Sequence, residues 1–112
     1  MATRLQAKLK PDGITEVRFL ITHPMESTRQ DVETGKNIYA HFVKEVKCEY
    51  NGKVVMSADW SPAVSANPYC AFRFKGGKVG EEVTVTWKDR RAIPNKPEET
   101  EEVVIVKIKE GT

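Results

Sequence analysis

Few side chains in this 112-residue sequence can do chemistry. The soft or imidazole donors are His23, His41, Cys48 and Cys70. No two of them stand at a metal-ligand spacing such as C-x-x-C or H-x-x-x-H, so no metal site is expected. His23 opens the densest stretch: His23-Pro24-Met25-Glu26-Ser27-Thr28-Arg29 offers an imidazole, a thioether, a carboxylate, two hydroxyls and a guanidinium. Such a run is either a polar loop or a recognition surface. Along the sequence it finds no second histidine, metal ligand or activated thiol to work with. No Gly-x-Ser-x-Gly elbow occurs. Neither cysteine has a histidine or a positive environment assigned to it. Gly76-Gly77-Lys78-Val79-Gly80 lacks phosphate-cradling spacing and reads as a hairpin turn. No catalytic residue and no cofactor are expected.

The elements that must position these residues read as short strands. Leu5, Ala7 and Leu9 alternate with polar residues, and Pro11-Asp12-Gly13 turns the chain. A second strand spans about Thr15 to Thr22, with Val17, Phe19 and Ile21 on one face. Pro24 stops it, because proline has no N–H to donate. The connection from His23 to about Tyr39 reads as a long loop without regular structure. Ile38 to Tyr50 follows, with Val46, Cys48 and Tyr50 on one face. Asn51-Gly52 signals a tight hairpin to a return strand over Lys53 to Asp59. Trp60 to Pro68 is a second long connection. Strands then fall at Tyr69–Lys75, around Val83 to Trp87, and at Val103 to Lys109. Asp89 to Pro97 reads as a charged hairpin loop, whose flanking runs Lys88–Arg91 and Glu98–Glu102 pair in solvent. Anion binding by Arg90 and Arg91 is a lesser alternative.

About seven alternating strands and no amphipathic helix predict an all-β fold, an immunoglobulin-like antiparallel β-sandwich forming a single domain over residues 1–112. Cys48 and Cys70 are too close in sequence for the usual inter-sheet bridge of that fold. They alternate inward with apolar residues and are expected as free core thiols, with a cross-core disulfide as the alternative.

Composition excludes several classes. Eighteen basic and sixteen acidic residues give +2, with the signs interspersed. That is no basic stripe for nucleic acid. No apolar run reaches the length of a membrane span. Met1-Ala2-Thr3-Arg4 leads into strand-like sequence without the apolar core of a secretory signal. The long loops carry apolar residues without charge, Pro24 and Met25 in one and Pro62, Val64 and Pro68 in the other. Exposed apolar loops suggest a partner, so the residues point to a binding module and not to an enzyme.

Read together, the loops resemble a known family. Ile21-Thr22-His23-Pro24-Met25-Glu26 with Arg29 and Asp31, then Cys48-Glu49-Tyr50-Asn51-Gly52, then Ser65-Ala66-Asn67-Pro68-Tyr69-Cys70-Ala71-Phe72 are similar to the SoxZ family. The resemblance runs from about Leu5 to Ile108. It implies an Ig-like subunit that forms a heterodimer with SoxY, the sulfur carrier subunit of bacterial thiosulfate oxidation. The partner's Gly-Gly-Cys-Gly-Gly arm holds the sulfur intermediates, and pathway enzymes make transient contacts. This chain ends Lys107-Ile108-Lys109-Glu110-Gly111-Thr112, without such an arm, as the non-carrying subunit would. The resemblance also implies a periplasmic site, reached by export with a signal-bearing partner. His23, Pro24, Met25, Arg29, Asn67, Pro68 and Tyr69 are then expected at the partner-binding surface. Two alternatives stand beside this reading: an Ig-like adaptor with an unrelated partner, and a direct thiol carrier using Cys48 or Cys70.

Overall fold

The computed structural model describes residues 3–111. Met1, Ala2 and Thr112, which enter the readings of the two chain ends, lie outside the described residues. The strands are β1 (Thr3–Leu9), β2 (Ile14–Ile21), β3 (Arg29–Gln30), β4 (Asn37–Ile38), β5 (His41–Tyr50), β6 (Lys53–Asp59), β7 (Tyr69–Lys75), β8 (Glu82–Arg91), β9 (Glu98–Lys107) and β10 (Lys109–Glu110). The seven long ones match the seven expected, and three two-residue strands are added. One four-stranded sheet has the order β10-β1-β2-β7 and the other β6-β5-β8-β9; β3 and β4 form a separate ribbon.

The sandwich follows from the period-two patterns. Val17, Phe19 and Ile21 of β2 face Val43, Val46 and Cys48 of β5 and Val83, Val85 and Trp87 of β8, all within one buried cluster. From β7, Cys70, Phe72 and Phe74 pack against it. The β5–β6 hairpin turns at Asn51 and Gly52, whose φ values of 50° and 74° suit the tight turn that matches strand twist. A register shift between Val43 and Glu45 makes Lys44 an extra residue against β8. That bulge keeps Val43 and Val46 both facing inward although they are three residues apart.

Two expectations need correction. The connection after β2 is not structureless: β3 and β4 pair within it, Arg29 opposite Ile38. Nor is Asp89 the start of a loop. β8 continues to Arg91 and pairs with β9 through Lys88 opposite Glu101, Arg90 opposite Glu99 and Arg91 opposite Glu98. The opposed charges that read as a solvated tip extend the ladder instead. The last strand also breaks. Ile108, 1% exposed, leaves the second sheet, and β10 then joins the first one parallel to β1, Lys8 opposite Lys109.

Candidate functional site

Three inward-facing rows run out of apolar residues at the same end of the sandwich. The β2 row Val17-Phe19-Ile21 is continued by His23. Ahead of Val43 on β5 stands His41, and after Trp87 on β8 stands Asp89. All three polar side chains are buried, and their donor atoms lie within 4.8 Å of one another. The Asp89 carboxylate is the centre. Its Oδ2 accepts from Nε2 of His41 at 2.7 Å and from Nε2 of His23 at 3.2 Å. Its Oδ1 accepts the Thr100 amide at 3.3 Å and the Thr100 hydroxyl from the facing position on β9.

The other ring nitrogens fix the protonation. His23 Nδ1 accepts the Met25 amide at 3.0 Å, and His41 Nδ1 accepts from Arg91 Nη2 at 3.4 Å. An amide and a guanidinium can only donate. Each Nδ1 is therefore bare, and each ring is a neutral tautomer with its proton on Nε2, pointed at Asp89. The rings stand 4.5 Å apart, and the edge of Trp87 meets His23 at 6.1 Å. Burial pushes the His23 pKa down, against the pull of Asp89, and the neutral form wins. Burial pushes the Asp89 carboxyl up, but hydrogen bonds from Thr100, His41 and His23 outweigh it and hold it below its ordinary value.

This cluster overturns the expectation that His23 has no second histidine to work with. The signal was in the alternation: one more step of two along β8 puts Asp89 inward, and one step back from Val43 does the same for His41. Two histidines and a carboxylate are also a metal-ligand set, and the geometry speaks against that use. Both Nε2 atoms are engaged with the same Asp89 oxygen. The 2.7 Å between His41 and Asp89 is shorter than the roughly 3.3 Å separating two ligands around a tetrahedral zinc. No described buried side-chain nitrogen or oxygen lacks a partner. What the arrangement can do is hold one ionised carboxylate inside the protein and tie three strands and a loop to it.

That loop is shaped by the same residues. Met25 takes a positive φ of 49°, uncommon for a side chain of its size. Its thioether is buried and accepts the Val43 amide at 3.3 Å. Glu26 and His41 exchange backbone hydrogen bonds at 2.7 and 2.9 Å. The second long loop is stitched on beside it. The His23 amide donates to the Asn67 side chain at 3.0 Å, and the Asn67 amide returns a bond to the His23 carbonyl at 2.8 Å. Ile21 N–H donates to the Pro68 carbonyl. The structure thus brings His23, Met25, Asn67 and Pro68 together. His23, Met25 and Pro68 are buried, whereas Pro24, Arg29 and Asn67 are exposed and Tyr69 is 60% exposed. Arg29 pairs with Glu26 at 3.4 Å.

The cysteines are free. Burial pushes the Cys48 thiol up to about 12, and burial raises Cys70 as well. Neither supplies a thiolate near neutral pH.

Residues 3–100 match the family model described as Sulphur oxidation protein SoxZ. The chain belongs to the SoxZ family. No curated protein matches it. SoxZ membership makes the protein a component of sulfur oxidation and implies a partner within the Sox pathway. The resemblance read from the two loops and the Tyr50-Asn51-Gly52 hairpin is therefore established at family level. Those motifs occupy the stitched loop pair and the first turn of the second sheet.

Proposed function

We propose that this SoxZ-family protein is a binding subunit and not an enzyme. It pairs with a SoxY-type carrier as a heterodimer, stabilises it, and helps present its cysteine arm to the enzymes of thiosulfate oxidation. One observation carries the reading: His23, His41, Asp89 and Cys48 are all engaged or buried inside the fold, while the loop pair around them is cross-linked by hydrogen bonds and displays special residues outward. His23 and His41 are bound at both ring nitrogens, Asp89 accepts at both oxygens, and Cys48 is a buried neutral thiol. Pro24 and Asn67 project from a frame locked from below. A rigid surface binds without an ordering cost. Buried His23, Met25 and Pro68 shape that surface; exposed Pro24, Arg29, Asn67 and Tyr69 are the members able to touch a partner.

Co-expression with the carrier subunit and size-exclusion chromatography tests the pairing. A single co-eluting peak at micromolar concentration is expected, and separate elution sinks the reading. The proposed site of action is the periplasm, reached together with the partner. Fractionated cells should then show this chain in the periplasm only when the signal-bearing subunit is co-expressed. Direct sulfur transfer through Cys48 or Cys70 is disfavoured by the burial of Cys48 and by the half-buried setting that raises the Cys70 thiol.

A further inference from the structure

In the sequence the two charge signs are interspersed; on the folded surface they are not. The outward face of β1, β2 and β7 carries Arg4, Lys8, Arg18, Arg73 and Lys75 against the single carboxylate of Glu16. The pairing registers lay these side chains in rows. Arg4 stands beside Leu20 and Tyr69, Gln6 beside Arg18 and Ala71, and Lys8 beside Glu16 and Arg73. Lys109 on β10 extends the last row by one more cation. Glu16, held by Arg18 and Arg73 at 2.6 and 3.3 Å, cancels one of these charges and leaves the face net positive. The whole chain is only +2, so the rest of the surface is net negative. The opposite sheet accounts for that, with β9 beginning Glu98-Glu99-Thr100-Glu101-Glu102.

One end of the basic face, at the Leu20–Tyr69 pair, is not charged. Tyr69, 60% exposed, and Leu20 border a shallow depression of about 440 Å³ with Arg4, Gln6 and Arg18 around it. Arg18 lines the same depression, with its guanidinium held by Glu16. An exposed tyrosine flanked by arginines over an aliphatic floor has the composition of an interface hot spot. Cations beside an apolar depression complement a protein surface that is acidic beside an apolar knob. They suit a phosphate backbone less well, because a phosphate backbone brings no apolar group to fill the depression beside Tyr69 and Leu20.

We infer that the outward face of β1-β2-β7, anchored at its Tyr69 end, is the docking surface for the carrier subunit, which meets it with an acidic surface beside an apolar knob. The inference rests on the pairing reading above for the identity of the occupant. It adds a location, a charge sign and an anchor residue. The face is continuous with the stitched loops, since Tyr69 directly follows Asn67 and Pro68.

The test measures binding of the purified carrier subunit by calorimetry at ~50 and ~200 mM salt. Wild-type affinity should fall as salt rises. Tyr69→Ala should weaken binding at least about tenfold, and combined Arg4→Glu, Lys8→Glu and Lys75→Glu should abolish it. Lys47→Glu and Val103→Ser, on the opposite sheet, should bind as wild type does. All six positions are exposed or half-exposed, and thermal unfolding confirms that each variant folds. Wild-type affinity in the Tyr69 and charge-reversal variants, with wild-type binding intact, overturns the docking surface and leaves the pairing. No binding by wild type overturns the pairing itself. A duplex DNA probe bound tightly at ~200 mM salt, and released by the same charge reversals, overturns the choice of a protein partner.

Discussion

Asp89 has every acceptor position filled from three directions, by His23, His41 and Thr100. A buried carboxylate is tolerable only on those terms, and its donors are in turn left unmatched if it goes. Asp89→Asn keeps the shape but swaps one acceptor oxygen for a donor amide, which faces N–H groups on either side. The expected cost is roughly 3 kcal/mol, read from urea unfolding; a loss under about 0.5 kcal/mol would mean that the network is idle. His23 gives the pH dependence. Its folded pKa lies below the unfolded one, so the unfolded chain takes up the proton first. Stability is then complete above about pH 6.5 and declines as the pH drops below it. Asp89, also depressed in the fold, adds a second decline once the pH falls below about 3.9. Thermal midpoints should therefore fall between ~pH 6.5 and ~pH 5. In His23→Gln the protein should be weaker at neutral pH but flat across that window. An unchanged slope in that variant would assign the titration elsewhere.

At the scale of the elements, the strands with clean alternation could be read in advance and the charged one could not. Tyr69–Lys75 and the Asn51-Gly52 hairpin follow from side-chain period and turn chemistry alone. β8 and β9 run past their apolar halves into Lys88–Arg91 and Glu98–Glu102, which look like loop by composition. Cross-strand pairing of opposite charges overrides that composition. The buried site was hidden for the same reason, since its carboxylate belongs to the half of β8 that composition assigns to solvent. The Gly76-Gly77 turn was legible as a turn, but its fit was not. Gly77 has φ +95°, and a Cβ there would sit 2.2 Å from the Thr15 hydroxyl, which itself donates to the Gly76 carbonyl. Gly77→Ala should destabilise the domain by at least about 2 kcal/mol. An unshifted thermal midpoint would show that the turn can move away.

For the whole molecule, sequence order and surface pattern diverge most in the charge. Interspersed signs along the chain become a basic sheet face and an acidic opposite edge once strands alternate their side chains. No linear reading sees that without the registers. The sandwich is closed by Ile108, which crosses from the second sheet to the first and is fixed by backbone bonds to Gly80 and Glu81. Truncating so buried a side chain leaves a cavity at the junction of both sheets. Ile108→Ala should cost about 2–5 kcal/mol, measured by denaturant unfolding, and a value under 1 would mean that the two sheets are held together elsewhere.

The placement of β10 has a consequence for the order of folding. Among the described strands β1 comes first in the chain and β10 last, and one edge of β1 is covered by residues 109–110. Until that short strand docks, the edge presents unpaired backbone groups that another chain could pair with. The first sheet is therefore the one whose closure waits for its most distant partner in sequence.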